Sequence, residues 1–331
     1  MRVLVSAVAN ERYGARITAV DPAIELAVMS ADGTITSVDG SIVDPDVTPI
    51  DVAWGSADIF TDGGPARPFL GFVRSASSLR WFQSPAAGLD HPMFGEIVAR
   101  GTRLTTTHVQ SVAIAEYVMR SVLDHFHDAP AWRSGHEQRS WDRRPFREVY
   151  GTTWLIIGLG AIGTDVARRA SAFGVRVIGM RRHPTGTEPV DEVVGPGDLE
   201  SVGRADVIVV AAPATAQTRH LVDERFLAAT KPGALLVNVA RGALVDEVAL
   251  LAALDRGQLG GAVLDVTEVE PLPADDPLWR HPRVLVTPHT SAHGDGTLAR
   301  AAEVFVANLE RYVAGEPLVD EVHGDGGRPA G

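Results

Sequence analysis

Three glycines at fixed spacing form the first candidate site in this sequence. Gly158, Gly160 and Gly163 follow the apolar run TTWLII and open a helical stretch. The first glycine of such a turn permits a tight bend, the second lets an anion approach the backbone, and the third lets helix and strand pack closely. Backbone amides at the helix start, at Ala161 and Ile162, would face a pyrophosphate. The pattern predicts a dinucleotide-binding turn, with a plain strand–helix turn as the alternative.

Two arginines stand about 20 residues past the glycines, where a protein that binds NAD presents a carboxylate to the ribose. They are Arg181 and Arg182. A guanidinium pairs with a 2′-phosphate that a carboxylate would repel, so the sequence favours NADP(H) over NAD(H) as the cofactor. His183 is a further candidate beside that phosphate. The alternative is that both arginines are solvated loop residues of an arginine-rich chain, in which Lys231 is the only lysine.

Three further polar residues lie where later apolar runs end. They are Arg241 in NVARG, Glu270 in LDVTEVEPLP and His289 in VTPHT. Open α/β sheets bind ligands at the carboxyl ends of their strands, so these residues are candidates for the chemistry. Taken singly, each has an ordinary explanation: a surface arginine, a loop glutamate before a proline, and a histidine that caps a turn.

The elements that would position these residues alternate between strand and helix. Residues 152–180 form one βαβ unit, and further apolar runs follow at 206–212, 233–240, 261–266 and 283–288. Apolar runs without polar alternation are typical of parallel strands that are covered on both faces. The chain before them repeats the alternation less clearly. We predict an α/β protein: a Rossmann doubly wound parallel sheet that binds a dinucleotide, plus a smaller flavodoxin-like α/β substrate domain.

An amphipathic helix over 108–127 marks the predicted domain boundary. Its apolar face comprises Val112, Ala115, Met119, Val122 and Phe126. A second long helix, TLARAAEVFVANLERYVAG, lies near the C-terminus and is expected to return the chain to the first domain. We therefore predict a discontinuous substrate domain over 1–101 and 290–331, and a dinucleotide-binding domain over 102–289.

Length and composition exclude several classes of protein. A chain of 331 residues usually divides into two domains. The absence of cysteine excludes disulfides and thiolate nucleophiles, and the net charge of −12 disfavours binding to nucleic acid. No apolar run is long enough to cross a membrane, and the short run at the start fits a strand better than a signal peptide. We expect a cytoplasmic protein with a small-molecule partner.

Together the motifs resemble the D-2-hydroxyacid dehydrogenase family. The resemblance covers almost the whole chain, through LRWFQSPAAGLD, AIAEYVMRSVL, GLGAIG, NVARGALVDE, GAVLDVTEVEPLP and VTPHT. It implies that Arg241 binds the substrate, that His289 is the catalytic histidine and that Glu270 orients it.

The chemistry of 2-keto acids explains these residue types. A planar guanidinium can bind the substrate carboxylate and polarise the adjacent carbonyl. As hydride arrives from a reduced nicotinamide, charge grows on the carbonyl oxygen and a proton must be supplied there. His289 is the expected donor, and a neighbouring Glu270 would favour its imidazolium form and fix its tautomer. In the oxidation direction neutral His289 would act as the base.

The resemblance also implies secondary contacts. Ala87 and Gly88 match the loop whose backbone amides bind the substrate carboxylate. Asp265 matches the residue that anchors the nicotinamide carboxamide, and Pro213 and Thr215 match a turn beside the adenosine half. The cofactor contacts implied beyond the glycine turn and the arginines are Pro213, Thr215, Ala240 and Asp265.

Some features depart from the family pattern or invite a second interpretation. The segment TSAHGDG after His289 replaces the Gly-Ser/Ala-Ala-Thr pattern of many relatives, which indicates an altered pocket. Trp54 and Trp141 are candidates either for walls of that pocket or for packing. His289 and His293 have the i, i+4 spacing of a metal pair, but a third ligand is not evident, and we predict no metal site.

The favoured function is NADPH-linked reduction of small 2-keto acids, with glyoxylate and hydroxypyruvate as candidates by analogy. An NAD-dependent dehydrogenase of a 2-hydroxy acid, phosphoglycerate, formate or phosphite is the alternative within the same fold. A dinucleotide-sensing binding protein, like the corepressors made from this fold, is the alternative from another class. The helix over 108–127 matches the segment that pairs two subunits in this family, so we expect a homodimer.

Overall fold

The computed structural model describes residues 1–61, 63–86, 88 and 91–322. The chain forms two compact units. Unit 1 comprises Met1–Gln110 together with the described residues from Asp295 onward, and unit 2 comprises Ser111–Gly294. Each unit contains its own sheet.

The strands and helices follow one another along the whole chain. In chain order the strands are β1 (Arg2–Ser6), β2 (Glu25–Met29), β3 (Ile35–Ser37), β4 (Val52–Trp54), β5 (Trp81–Gln83), β6 (Arg103–Thr105), β7 (Thr153–Ile157), β8 (Arg176–Met180), β9 (Glu192–Val194), β10 (Val207–Val210), β11 (Ala234–Asn238), β12 (Leu259–Leu264), β13 (Val284–Val286) and β14 (Glu321–Val322). The α-helices are α1 (Ala7–Thr18), α2 (Ala66–Ser75), α3 (Pro92–Ala99), α4 (Ser111–Phe126), α5 (Ala129–Glu137), α6 (Ala161–Ala172), α7 (Leu199–Arg204), α8 (Glu224–Ala228), α9 (Glu247–Asp255) and α10 (Thr297–Val313).

Unit 1 contains a sheet with the order β14-β6-β5-β4-β1-β2-β3. Its inner strands β6, β5, β4, β1 and β2 are parallel, and β14 and β3 pair antiparallel at the edges. Taken alone, the parallel strands have the flavodoxin-like order 2-1-3-4-5. The predicted flavodoxin-like α/β architecture is confirmed.

Unit 2 contains a fully parallel sheet with the order β13-β12-β11-β10-β7-β8-β9. The strand order reverses between β7 and β10, which is the doubly wound Rossmann arrangement. Ligands bind such sheets at the carboxyl ends of the strands beside this reversal. The predicted Rossmann sheet is confirmed, and its topology identifies where the unit 2 site must lie.

Strand β10 shows why these runs form buried parallel strands. All its residues are fully buried; Val207 and Val209 join the core on the face that α4 and α6 cover, whereas Ile208 and Val210 join the core on the other face. Successive side chains of a strand point to opposite faces, so a strand buried on both must be apolar throughout. Each such side chain contributes roughly 1.5–3 kcal/mol by leaving water.

Helix α4 packs within unit 2. Ala115, Met119, Val122 and Phe126 of the predicted face are buried against the sheet and α6, while Val112 is only partly buried. The broad apolar face is therefore covered by the chain itself. The expected homodimer remains a prediction, but this face no longer supports it.

Two details of unit 1 differ from the simplest interpretation of its sequence. The run RVLVSAVA is a strand only as far as Ser6, because the Ser6 hydroxyl accepts a hydrogen bond from the Ala9 N–H and so begins α1. Trp54 is 1% exposed and stacks on Phe305 of α10 with ring centroids 4.8 Å apart. Trp54 thus belongs to the core of unit 1.

Candidate active site

The glycine turn lies at the strand-order reversal of unit 2, directly after β7. Gly158 has φ +95°, and a Cβ there would lie 2.6 Å from Cα of Ala212, in the loop after β10. A Cβ on Gly163 would lie 1.9 Å from the carbonyl oxygen of Gly158, whereas one on Gly160 would meet no atom within 4 Å. Gly158 and Gly163 are therefore required for the turn and for helix–strand packing. The space beside Gly160 holds no protein atom, so a ligand can approach the backbone there.

Helix α6 begins at this turn, with Gly160 as its N-cap and Ala161 and Ile162 as its first residues. The N–H groups of a first helical turn have no intrahelical acceptor, and the helix dipole makes this end positive. The loop after β10 is held by hydrogen bonds within itself. Thr218 Oγ1 donates to Pro213 O at 2.8 Å and accepts from the Thr215 N–H at 2.8 Å. Together these residues can bind the phosphates and adenosine of a dinucleotide.

The two arginines after β8 have different surroundings. Arg181 NH1 donates to Glu188 Oε1 at 2.9 Å. Glu188 also accepts from the Thr185 and Gly186 N–H groups, and these backbone bonds, foremost that of Thr185, lower the pKa of Glu188 to about 2. Arg182 and the neighbouring His183 are exposed, and no ion pair forms on Arg182 within the described ranges. Arg181 thus anchors its own loop, and Arg182 is the more exposed of the two arginines.

His289 and Glu270 are in direct contact. His289 Nδ1 lies 2.8 Å from Glu270 Oε2, and Glu270 Oε1 accepts from the Thr267 N–H at 3.1 Å. The side chains of His289 and Glu270 are 48% and 40% exposed. With Nδ1 bonded to a carboxylate, Nε2 is the ring nitrogen that can exchange a proton with a ligand.

The backbone at His289 is unusual. Its φ of +48° lies in the left-handed region, which costs a residue other than glycine roughly 1–3 kcal/mol when the surroundings impose it. The His289 N–H donates to Asp265 O at 2.8 Å and to Thr287 O at 3.0 Å. The histidine is therefore held in a conformation that the surrounding loop imposes.

Asp265 is 1% exposed at the end of β12. Its Oδ1 accepts from Thr287 Oγ1 at 2.7 Å and from the Thr290 N–H at 2.9 Å, and its Oδ2 accepts from the Ser291 N–H at 3.0 Å. An ionised carboxylate has about four acceptor positions, so these donors occupy most of them. The carboxylate organises the loop around His289, and its expected bond to a nicotinamide carboxamide remains a prediction.

Arg241 follows β11, the neighbour of β12. The buried Asn238 shapes this loop, because its Nδ2 donates to Arg241 O at 3.0 Å and its Oδ1 accepts from the Ala240 N–H at 3.1 Å. A Cβ on Gly242 would lie 1.9 Å from the carbonyl carbon of Thr267. The arginine loop therefore packs directly on the loop that carries Glu270, at the same edge of the sheet as His289.

Four further residues were candidates from the sequence: Ala87, Gly88, Trp141 and His293. Gly88 is a partly buried residue of unit 1, and Ala87 lies outside the described residues. Trp141 is 94% exposed and His293 is exposed. Across the described ranges no three or more histidine, cysteine, aspartate or glutamate residues are grouped so that they could hold a metal ion. In the same part of the chain, no helix has the length and apolar character needed to cross a membrane.

Several residues of the site were missed by the sequence interpretation. They are Tyr117, Glu188, Asn238, Gly242 and Thr287. Asn238 could have been found from the sequence, since a polar residue at the end of an apolar strand must find hydrogen-bond partners for its side-chain amide. Glu188 and Tyr117 could not, because their partners are fixed only by the fold.

Comparison with known proteins agrees with this geometry. A sequence model described as D-isomer specific 2-hydroxyacid dehydrogenase, NAD binding domain, matches residues 119–291. The chain belongs to this family, as the motifs predicted.

Two curated relatives differ in their substrates. D-3-phosphoglycerate dehydrogenase of Methanocaldococcus jannaschii is 36% identical over 254 residues, which are 74% of this chain and 47% of the relative. Glyoxylate reductase of Korarchaeum cryptofilum is 40% identical over 173 residues, 51% of each chain. The chain thus spans about half the length of these curated relatives.

Two solved structures match nearly end to end. A D-isomer specific 2-hydroxyacid dehydrogenase family protein from Aeromonas salmonicida has a TM-score of 0.80 and 32% identity, with 98% of this chain and 99% of that chain covered. A D-isomer specific 2-hydroxyacid dehydrogenase from Xanthobacter autotrophicus, solved with NADPH and MES, has a TM-score of 0.74 and 29% identity, with 98% of each chain covered.

Proposed function

We propose that this protein is an NADPH-linked reductase of small 2-keto acids, which interconverts them with D-2-hydroxy acids. The observation that carries the proposal is the contact between His289 and Glu270 at the carboxyl edge of a dinucleotide-binding sheet. Unit 2 would bind the cofactor, and a role of Gly88 in binding the substrate carboxylate remains a prediction. The reduced nicotinamide dinucleotide supplies the hydride when bound.

Side chains of unit 2 bind the keto acid and supply the proton in this proposal. Arg241 binds the substrate carboxylate and polarises the C2 carbonyl through its planar guanidinium. Protonated His289 donates from Nε2 to the carbonyl oxygen as negative charge develops there, and Glu270 stabilises the imidazolium and keeps Nε2 toward the substrate. In the reverse direction neutral His289 accepts the hydroxyl proton.

The preference for NADPH is proposed to depend on Arg182. Arg181 already donates to Glu188, so its charge is largely balanced, whereas Arg182 is exposed beside the end of β8. A 2′-phosphate at this strand end would take charge-assisted hydrogen bonds from Arg182. The relative from Xanthobacter autotrophicus was solved with NADPH, which supports the assignment.

The homodimer remains part of the proposal, but its contact is assigned to the segment after helix α4, because the apolar face of that helix is covered within unit 2. Trp141, which is 94% exposed, and Phe146, which is half exposed, lie in that segment. Phe146 lies against Trp132, which is 44% exposed, with ring centroids 5.9 Å apart, and an exposed apolar cluster favours a protein–protein contact. A monomeric mass by light scattering at micromolar concentration would contradict it.

The function is tested by incubating the protein with a panel of 2-keto acids that includes glyoxylate, hydroxypyruvate and 3-phosphohydroxypyruvate. Each acid is tried with NADPH and with NADH, and consumption of the reduced cofactor is followed at 340 nm, the absorbance of reduced nicotinamide. Steady turnover with NADPH and an unphosphorylated acid is expected. Tight binding of NADPH without turnover of any acid would favour the dinucleotide-sensing alternative instead.

A further inference from the structure

Tyr117 of α4 is linked to the histidine loop by two short hydrogen bonds. The Tyr117 hydroxyl lies 2.6 Å from Thr287 Oγ1, and Thr287 Oγ1 donates to Asp265 Oδ1 at 2.7 Å. Tyr117 lies 170 residues away from Thr287 in the sequence. The fold therefore joins a helix on one face of the sheet to the loop that carries His289.

The direction of these hydrogen bonds follows from the protons available. An ionised carboxylate only accepts, and a threonine hydroxyl has one proton to donate. The Thr287 proton is used on Asp265, so Tyr117 must be the donor to Thr287. A phenol keeps its proton at neutral pH, and burial raises the pKa of the Tyr117 phenol further above its usual value. The order is Tyr117 to Thr287 to Asp265.

Asp265 transmits this link to the backbone on both sides of the histidine. Its carboxylate accepts the N–H groups of Thr290 and Ser291, and its carbonyl accepts the N–H of His289. His289 is in the left-handed region at φ +48°, a conformation that does not persist without such partners. The orientation of the imidazole therefore depends on where the Asp265 carboxylate is fixed.

We propose that Tyr117 is a positioning residue, whose hydroxyl fixes Thr287 and Asp265 and thereby aims His289 at the substrate carbonyl. The proposal rests on the proposed reductase function for its effect on turnover. The link itself requires no turnover and can be measured separately. Tyr117 also packs against the core of unit 2 through its ring, so the test must remove only the hydroxyl.

Tyr117→Phe makes that change, because it preserves the ring. We expect kcat for 2-keto acid reduction to fall about threefold to tenfold, since small displacements of a catalytic group are costly. The Kd for NADPH, measured by fluorescence, should rise by a smaller factor, because Asp265 is also the predicted partner of the nicotinamide carboxamide. Tyr150→Phe is the matched control, because Tyr150 is 77% exposed, and it should retain full activity. Wild-type kcat in Tyr117→Phe would overturn the proposal.

Two substitutions of Thr287 test the middle of the link. Thr287→Val keeps the shape and loses the hydroxyl, and should lower kcat about tenfold or more. Thr287→Ser restores the hydroxyl and should keep kcat within about twofold of wild type, because a serine can still accept and donate as Thr287 does. Equal impairment of the two variants would show that packing alone matters, and would overturn the proposal.

Hydrogen–deuterium exchange separates this proposal from the proposed function. The amides of Thr290 and Ser291 should exchange faster in Tyr117→Phe than in wild type or Tyr150→Phe, whether or not any keto acid is reduced. Absence of turnover in wild type would reject the reductase function and leave the exchange result to decide the link. Unchanged exchange at these amides in Tyr117→Phe would overturn the link. Faster exchange together with a wild-type kcat would show that the link exists but does not position His289, and would overturn the proposal.

Discussion

Nδ1 of His289 lies 2.8 Å from Oε2 of Glu270, although the two side chains follow different strands of the unit 2 sheet. The pair forms because β12 and β13 are parallel neighbours, so the loops at their carboxyl ends lie side by side. The contact leaves Nε2 for the substrate, and it underlies the first two predictions.

Replacing His289 with Asn should separate binding from chemistry. His289→Asn removes the proton donor but keeps a polar side chain of similar reach, so keto-acid reduction should fall by about 10² to 10⁴, the usual contribution of a general acid. The Kd for NADPH, measured by fluorescence, should change little. His293→Asn is the control, since His293 is an exposed histidine of the same loop and should be silent. Comparable losses in both variants would contradict the role given to His289.

Glu270→Gln should slow keto-acid reduction. The neutral amide cannot stabilise the positive charge of the proton-donating imidazole or accept as strongly from Nδ1, so kcat/KM should fall about tenfold to a hundredfold. Glu268→Gln is a control with the same change of charge in the same loop, because Glu268 pairs with Arg219 and His220 instead. Equal kcat/KM in Glu270→Gln and Glu268→Gln would mean that Glu270 does not orient or stabilise the histidine.

The two arginines should differ in their effect on the cofactor. Arg182→Ala should raise KM for NADPH roughly ten- to a hundredfold, the value of hydrogen bonds to a charged group, while KM for NADH stays near wild type. Arg181→Ala should weaken both cofactors more evenly, because it frees the Glu188 loop instead of removing a phosphate contact. Equal losses with NADPH and NADH in Arg182→Ala would reject its phosphate role.

Gly242→Ala should damage the arginine loop. The new methyl group would lie 1.9 Å from the carbonyl carbon of Thr267, so the loops that carry Arg241 and Glu270 must move apart. Overpacking of this kind typically costs about 1–3 kcal/mol of stability, and KM for the keto acid should rise. Gly71→Ala is the control, since a Cβ there meets no atom within 4 Å on helix α2. Unchanged thermal stability and KM in Gly242→Ala would contradict the close packing of the two loops.

The sequence by itself determined the class of fold and the candidates for chemistry. Near-continuous apolar runs bounded by turn residues are typical of strands buried on both faces, and this pattern is local to each run. The glycine turn is likewise local in part, because Gly158 has a φ of +95° and Gly163 approaches the Gly158 carbonyl oxygen within the turn itself. Arg241, Glu270 and His289 were found because each follows such a run.

Only the tertiary structure determined which of these side chains contact one another and which are already bonded or covered within the protein. Arg181 and Arg182 are equivalent in sequence, yet only Arg181 meets Glu188, because the loop after β8 folds back on itself. The apolar face of α4 suggested a subunit contact, but α6 and the sheet cover it within unit 2.

The link from Tyr117 through Thr287 to Asp265 had no signal in the sequence either. Hydrogen bonds form only when donor and acceptor, here far apart in the chain, are placed to within a few tenths of an ångström of the preferred distance. The pattern of residue types fixes which elements form, and only their packing fixes those distances.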